Sequence, residues 1–234
     1  MLFNTGFYTA GDAAALLRED TRTVRRWAFG YPRNRLSGRV EHPPLIRTDL
    51  PAIEGERALT FVELVELLYV RAFHELGVSW KTIREAADTA ARLFDSPHPF
   101  ALRQVYLDPD SVLYGSVAEA DGSEALVQLR GHGQQAFPQV VKPYLEQLEF
   151  GVGGLAARWW PMGKDVGVLV DPRIAFGAPV VEGTRIPAST LAEAFEAERP
   201  AYGERALERV AWMYEVEPRH VQNSLEFSRW LRRA

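Results

Sequence analysis

The sequence contains no cysteine, and this absence excludes several kinds of chemistry. Without cysteine the chain has no disulfide framework, no thiolate metal site and no thiol nucleophile. Long apolar runs are missing as well, because no stretch of about 18 apolar residues occurs. The first residues also lack the basic and apolar regions of a secretion signal. We therefore expect a cytoplasmic protein without a membrane span.

An overall excess of positive charge is absent too. The 234 residues include 27 Lys and Arg against 31 Asp and Glu, a net charge of −4, which excludes a protein that coats nucleic acid through its total charge. Residues 21–47, however, contain seven arginines and one acid, whereas residues 101–166 contain five basic and eight acidic side chains. The N-terminal part therefore has a local basic patch suited to an anion such as DNA.

Two short helical patterns, at residues 8–17 and 21–27, are separated by about three residues, which is helix-turn-helix spacing. Thr9 and Asp12 form a capping pair for the first helix, and Asp20 is placed to cap the second. Val24 and Trp27 are predicted to face the core. The polar residues of the second helix are therefore predicted to lie mainly on its outer faces.

These outward residues are predicted DNA contacts, because arginine pairs with guanine edges and with phosphate oxygens. On the second helix they are Thr21, Arg22, Thr23, Arg25 and Arg26. In the following loop or wing, Arg33, Arg35 and Arg39 are predicted to contact the backbone or the minor groove. The alternative is a solvated surface, which explains most charged runs.

Local signals organise the rest of the chain. Prolines and glycines between residues 32 and 55 predict a loop or short hairpin. The capping-box spacing of Thr60 and Glu63 predicts a helix that ends near Gly77, and Ser79 caps another that runs to about Phe94. Strands are predicted at about 104–107, 112–117, 124–129 and 166–170, with a short helix at 143–148. Helices are predicted again at about 190–198, 202–214 and 218–231.

The N-terminal segments resemble the MerR-type winged helix-turn-helix family. The resemblance lies in Tyr8-Thr-Ala-Gly-Asp-Ala-Ala and Thr23-Val-Arg-Arg-Trp, and Leu76-Gly-Val-Ser-Trp-Lys-Thr-Ile-Arg84 is similar to a later helical element of that fold. It implies DNA binding by the second helix. The long dimerising coiled coil and the effector-binding domains of that family are not apparent in the sequence.

The most distinctive string is found at residues 171–187. Gly177 and Gly183 permit positive φ, and Gly183 with Thr184 predicts a turn that presents Arg185. The string resembles a family of three-helical domains associated with antitoxins of the VapB type. Matching residues are Gly177, Pro179, Val180, Val181, Gly183, Thr184, Arg185, Ile186 and Pro187. With the MerR-like head, His98-Pro-Phe-Ala and Arg158-Trp-Trp-Pro161, the chain is similar to one antitoxin subfamily over nearly its full length.

That resemblance implies a protein that neutralises a PIN-domain ribonuclease and represses its own operon. Such a toxin holds Mg²⁺ with carboxylates, so an inserted arginine of the antitoxin would pair with those acids or displace the metal. Candidate residues for the partner or dimer contact are Val180, Val181, Thr184, Arg185, Arg229, Arg232 and Arg233. Two alternatives stay open, namely that residues 180–186 form a strand between two copies and that Arg185 is a structural pairing partner.

Nothing in the sequence indicates catalysis. The five histidines show no metal-ligand spacing, and the acids on predicted helices are explained by a solvated face. We therefore predict no catalytic residue, no metal ligand and no cofactor.

Together these features predict a mainly helical α+β protein. A winged helix-turn-helix occupies residues 1–100, a small antiparallel β-rich segment residues 101–170, and a three-helix, homeodomain-like domain residues 171–234. The predicted function is antitoxin and autorepressor, binding double-stranded operator DNA as a homodimer, since two half-sites add their contacts. The alternative is a stand-alone, ligand-responsive transcription regulator whose β-rich middle binds an aromatic effector through Phe137, Tyr144, Phe150, Trp159 and Trp160.

Overall fold

A computed structural model describes residues 5–35, 38–52, 55–103, 105–107, 113–118, 124–129, 135–136 and 146–232. Its α-helices are α1 (Ala10–Leu17), α2 (Thr21–Phe29), α3 (Phe61–Glu75), α4 (Trp80–Leu93), α5 (Ala188–Tyr202), α6 (Ala206–Met213) and α7 (Pro218–Arg232). The predicted caps are confirmed. Thr9 with Asp12 and Thr60 with Glu63 form complete capping boxes, Asp20 caps α2, and Ser79 caps α4.

The strands are short and antiparallel. They are β1 (Tyr8–Thr9), β2 (Tyr31–Arg35), β3 (Gly38–His42), β4 (Ala58–Leu59), β5 (Val105–Leu107), β6 (Leu113–Ala118), β7 (Glu124–Gln128), β8 (Gln135–Ala136), β9 (Leu148–Phe150), β10 (Ala156–Trp159), β11 (Val168–Leu169) and β12 (Val180–Val181). The order β5-β6-β7-β8 forms one sheet, while β1 pairs with β4, β2 with β3, β9 with β10, and β11 with β12. The predicted β-rich middle is therefore present.

One secondary-structure prediction is wrong where it can be compared. The helix expected over residues 143–148 is replaced at its described end by a turn at residues 146–147, and Leu148 begins β9. Leu148 pairs with Trp159 of β10, so a tertiary strand partner outweighs the local helical preference. Residues 143–145 lie outside the described part of the chain.

The buried apolar residues of the N-terminal and C-terminal parts join in one cluster. Leu17 of α1, Leu64 of α3, Val181 of β12 and Phe227 of α7 all belong to it. Helices α5, α6 and α7 pack on one another, and α7 also contacts α1, β11 and β12. The domain boundaries given above stay a prediction. The predicted domains share one hydrophobic core and are not independently packed units.

A specific contact joins the start of the chain to the C-terminal motif. The Tyr8 hydroxyl donates to the Gly177 carbonyl at 2.9 Å across 169 residues of sequence, and the Phe7 amide donates to the Phe176 carbonyl at 3.2 Å. Gly177 has φ +87°, and a Cβ at this position would lie 2.3 Å from the Tyr8 hydroxyl oxygen. Only glycine fits this junction without a shift of the chain.

We expect Gly177→Ala to lower the free energy of unfolding by about 2 kcal/mol or more, because it adds both a clash and backbone strain. Gly183→Ala is the matched control, since Gly183 also has positive φ, +77°, but has open space around its missing Cβ. Chemical denaturation of both variants measures the difference. Equal losses in the two variants would show that the Tyr8 contact adds nothing beyond strain.

Among the described helices, none combines the length and apolar character that a bilayer crossing requires.

Candidate nucleic-acid interface

Helix α2 is fixed by its cap and by its apolar face. The Asp20 Oδ1 atom accepts hydrogen bonds from the amides of Arg22 at 2.8 Å and Thr23 at 3.2 Å, which satisfies amides that the first turn leaves without partners. On the other face, Val24, Trp27 and Ala28 are buried. The helix therefore presents a single defined face to solvent.

That outer face is strongly cationic. Arg22, Arg25 and Arg26 are exposed, and so is Thr21, while Thr23 is half-buried. The helix contains no acidic residue, and these three arginines form no ion pair with any residue in the described ranges. The structure thus places the five predicted contacts of α2 together on one accessible surface, with guanidinium groups available for an anion.

A hairpin follows α2 directly and is tied to it. Gly30 has φ +71°, and a Cβ there would lie 2.5 Å from the His42 carbonyl oxygen, so glycine permits the close approach between the helix end and β3. The amide of Leu45 donates to the Trp27 carbonyl at 2.7 Å. Predicted contacts Arg33, Arg35 and Arg39 lie in this hairpin, where Arg33 pairs with Val40, Asn34 with Arg39, and Arg35 with Gly38.

The predicted partner residues of the C-terminal motif have different environments. Val180 and Val181 are fully buried and pair with Leu169 and Val168 of the same chain. Their side chains therefore contribute to this chain's own core and leave no surface for a partner in this conformation. Residues 180–181 form an intramolecular strand, where the sequence had also allowed a strand between two copies.

The turn after β12 is built as the motif predicts. The Thr184 hydroxyl donates to the Val181 carbonyl at 2.8 Å and accepts from the Ile186 amide at 3.1 Å. Gly183 adopts φ +77°, and Arg185 is exposed. Within the described residues Arg185 has no ion-pair partner, so its guanidinium is directed to solvent rather than used inside the fold.

The remaining predicted partner residues lie on the last helix. Arg229 and Arg232 are exposed on α7, and Arg233 lies outside the described residues. Arg229 borders a cleft of about 380 Å³ between α1 and α7, next to Trp230 and Arg18. The Arg18 guanidinium lies 5.5 Å from the centre of the Trp230 ring, which fixes the arginine close to this helix.

Exposed apolar side chains were not predicted and form a further part of the surface. Trp212 is 77% exposed and Met213 46% exposed at the end of α6, and Phe176 is 82% exposed. Large apolar groups of this kind are enriched where proteins bind other proteins. The available signal was the Trp212-Met213 pair beside the inward residues Val210 and Ala211.

The paired tryptophans of the middle segment are core residues. Trp159 and Trp160 are buried, and the Trp160 indole N–H donates to Glu182 at 3.4 Å. Both belong to the five aromatic residues that the alternative regulator was predicted to use as the lining of an effector pocket. Phe150 is half-buried, whereas Phe137 and Tyr144 lie outside the described residues.

The buried carboxylate of Asp171, the first residue of the C-terminal motif, connects the motif to β10. The Asp171 oxygens accept from the Arg158 Nε atom at 2.9 Å and from the Arg173 side chain at 2.9 and 2.7 Å. Burial alone would raise the pKa of Asp171, but the hydrogen bonds from Arg173 and Arg158 outweigh it and lower the pKa to about 2. Asp171 therefore stays ionised and links Arg158 of β10 to Arg173 in the turn that begins the motif.

A second polar cluster, which sequence spacing did not indicate, joins α3, the loop at residue 49 and the segment at residue 98. The His98 Nδ1 atom donates to Glu66 at 2.9 Å, and its Nε2 atom donates to Asp49 at 2.8 Å. Burial alone would lower the pKa of His98, but the hydrogen bond and charge of Glu66, followed by those of Asp49, raise it to about 9. The ring is therefore doubly protonated near neutral pH and bridges two carboxylates.

This cluster also contains ligand-type atoms at metal-binding spacing. Asp49, Glu63 and His98 each offer one such atom within 4.8 Å of the others. Glu63, however, already accepts from the amides of Asp49 at 2.5 Å and Thr60 at 2.8 Å. A hydrogen-bonded clamp between α3, the loop at residue 49 and the segment at residue 98 accounts for the arrangement.

Comparison with known proteins matches two families to different parts of the chain. Residues 6–87 match a family described as "Putative DNA-binding HTH domain", which confirms the predicted helix-turn-helix. Residues 168–227 match a family described as "Protein of unknown function (DUF433)". This second match covers most of the predicted C-terminal domain.

Two relatives extend over almost the whole chain. One, from Mycobacterium tuberculosis (strain ATCC 25618 / H37Rv), is named "Putative antitoxin VapB45" and is 29% identical over 233 residues, which cover 96% of this chain and 94% of the relative. The crystal structure of Rv2018 from Mycobacterium tuberculosis superposes with a TM-score of 0.63 at 24% identity, covering 95% of this chain and 98% of that one. The fold is therefore shared over nearly the full length of both chains.

Proposed function

We propose that this protein is a non-enzymatic, DNA-binding antitoxin that represses its own operon and inhibits a PIN-domain ribonuclease. The observation that carries the DNA-binding half is the outer face of α2, where three exposed arginines have no ion-pair partner among the described residues. A helix of this kind inserts into the major groove, where arginine pairs with guanine and with phosphate.

The hairpin β2–β3 acts as the wing in this proposal. It follows α2 at once and carries Arg33, Arg35 and Arg39, residues suited to phosphate or to the narrow minor groove. One short recognition helix buries little surface, so specific binding requires a second copy on a second half-site. The protein therefore binds its operator as a homodimer.

The toxin-inhibiting half is supported by similarity over 96% of the chain to a protein named as a putative antitoxin. A PIN-type active site holds Mg²⁺ through carboxylates, so an inhibitor that inserts a guanidinium neutralises the acids that bind the metal. Arg185, Arg229 and Arg232 fit this role because all three are exposed. The apolar pair Trp212 and Met213 supplies an additional contact surface on α6.

The test is co-expression of the tagged chain with the product of its neighbouring gene, followed by purification and an RNA-cleavage assay. We expect a stable complex in which a Mg²⁺-dependent ribonuclease is silent. The variant Arg185→Ala/Arg229→Ala/Arg232→Ala should release nuclease activity. The control Arg219→Ala should not, since Arg219 is already paired with Glu217 at 2.9 Å.

Toxin binding and DNA binding can each be contradicted by a different result. A neighbouring product without nuclease activity, or one that never co-purifies, contradicts the toxin-binding half but leaves DNA binding intact. Absence of binding to the upstream DNA contradicts the autorepressor half. The two assays share no readout, so each result is interpretable alone.

A further inference from the structure

A cleft of about 620 Å³ opens between α2, the hairpin and the start of α4. Its size falls in the range of small-molecule sites. Thr23 and Arg26 of the predicted DNA-contacting helix border it on one side, and Trp80 and Arg84 of α4 border it on another. It is distinct from the β-rich middle, where the sequence had suggested an effector pocket.

The walls of this cleft are largely aromatic. His74 and Trp80 stack with ring centres 3.7 Å apart, and Trp27 lies 5.5 Å from Trp80. Across the hairpin, Tyr31 and His42 form a second stacked pair at 4.6 Å. Several aromatic rings so close together suit a flat ligand, because a rigid ring can stack on them and loses little conformational entropy when it binds.

Two polar atoms at the cleft have no partner. The Arg84 Nε atom and the His42 Nε2 atom are buried and make no hydrogen bond in the described structure. A buried donor without a hydrogen-bond partner destabilises a fold, so such atoms call for an explanation. An acceptor group on a ligand would satisfy the Arg84 Nε donor, and also the His42 Nε2 atom in the tautomer in which that nitrogen carries the proton.

The charge around the cleft favours an anion. Arg26 and Arg84 supply two positive charges, and the acidic residue at its border, Glu19, lies 3.7 Å from Arg71 and is partly neutralised by it. The Arg26 guanidinium also lies 5.1 Å from the centre of the Tyr31 ring, which keeps a cation at the aromatic wall.

We propose that this cleft binds a small planar aromatic carboxylate of one or two rings. The ring lies against Trp80 and its neighbours, and the carboxylate accepts from Arg84. The cleft shares Thr23 and Arg26 with the DNA-contacting face, so ligand and operator DNA must influence each other's affinity by the same factor. This proposal goes beyond the antitoxin function, and ligand binding is measurable without DNA or toxin.

In the first experiment, the purified protein is titrated with benzoate and with indole-3-carboxylate, and binding is measured by isothermal titration calorimetry. We expect at least one probe to bind with a Kd at or below about 1 mM, and Arg84→Met to weaken it about tenfold or more. Arg92→Met is the matched control, because Arg92 is exposed on the same helix and is not part of the cleft. The neutral amides of both acids should bind more weakly than the acids.

A second variant separates loss of the ligand contact from loss of the fold. Arg84→Lys keeps the charge without the guanidinium, and it should retain more affinity than Arg84→Met while showing the same circular dichroism. Lack of binding by both acids, or equal binding by Arg84→Met and the parent, overturns the proposal. If Arg84→Met instead weakens binding to upstream DNA while neither acid binds, the cleft belongs to the DNA interface.

Discussion

Simultaneous replacement of Arg22, Arg25 and Arg26 by alanine is expected to lower the affinity for the protein's own upstream DNA by about 100-fold or more. A good arginine contact to a base contributes about 1–3 kcal/mol, and each lost phosphate contact also removes counterion release. All three side chains are exposed, and none forms an ion pair within the described chain. Arg26 also lies 5.1 Å from the centre of the Tyr31 ring, but removal of the three arginines takes no buried side chain from the core. The unfolding temperature should therefore stay within a few degrees of the parent value.

The measurement is a binding titration at several salt concentrations. Phosphate contacts set the slope of log K against log salt, so the slope should become shallower by up to about 3. The control variant removes three exposed arginines elsewhere, Arg92, Arg103 and Arg199, and changes the net charge by the same amount. Equal losses in both variants would show that total charge, rather than the face of α2, determines binding.

The predicted recognition face could be read from the sequence because it depends on local signals. Asp20 caps α2 through amides two and three residues away, and the inward positions of Val24 and Trp27 follow from helical spacing. The same holds for the capping box of Thr60 and Glu63, in which every hydrogen bond spans three residues. Such contacts leave a pattern within a single turn.

Contacts between distant segments leave no such pattern. His98 meets Asp49 and Glu66 across 49 and 32 residues, and sequence spacing therefore gave no reason to connect them. The aromatic cleft has the same origin, since Trp27, His42 and Trp80 come from three different elements. Burial of Val180 and Val181 likewise depends on β11, which supplies the pairing strand.

The second large effect is expected from His98→Ala, which should lower the free energy of unfolding by about 3–5 kcal/mol. Removal of one partner from a buried charged pair leaves the other charge uncompensated. Glu66 is 2% exposed and, among the described residues, would keep only a 3.3 Å hydrogen bond from the Phe100 amide. Because His98 holds α3 to the loop at residue 49, its loss should loosen that connection as well.

A double variant tests this cause directly. Glu66→Gln in the His98→Ala background removes the stranded charge, so the combined loss should be smaller than the sum of the two single losses. Denaturant unfolding of the four proteins of this cycle gives the coupling free energy. Additive losses would mean that the two side chains act independently, which the 2.9 Å contact between them argues against.

The same pair makes stability depend on pH. The pKa of His98 rises from 6.5 to about 9 on folding, so its contribution is fully present below pH 6.5 and is lost as the pH rises toward 9. Burial also raises the pKa of Glu66 and Glu63, which acts in the same direction, and Asp49 faces the ring from the other side.

The free energy of unfolding should decrease by about 2–3 kcal/mol between pH 6.5 and 9, and His98→Ala should flatten that decrease. A parent protein whose stability is constant over this range would show that the ring is not a shared, protonated bridge between the two carboxylates.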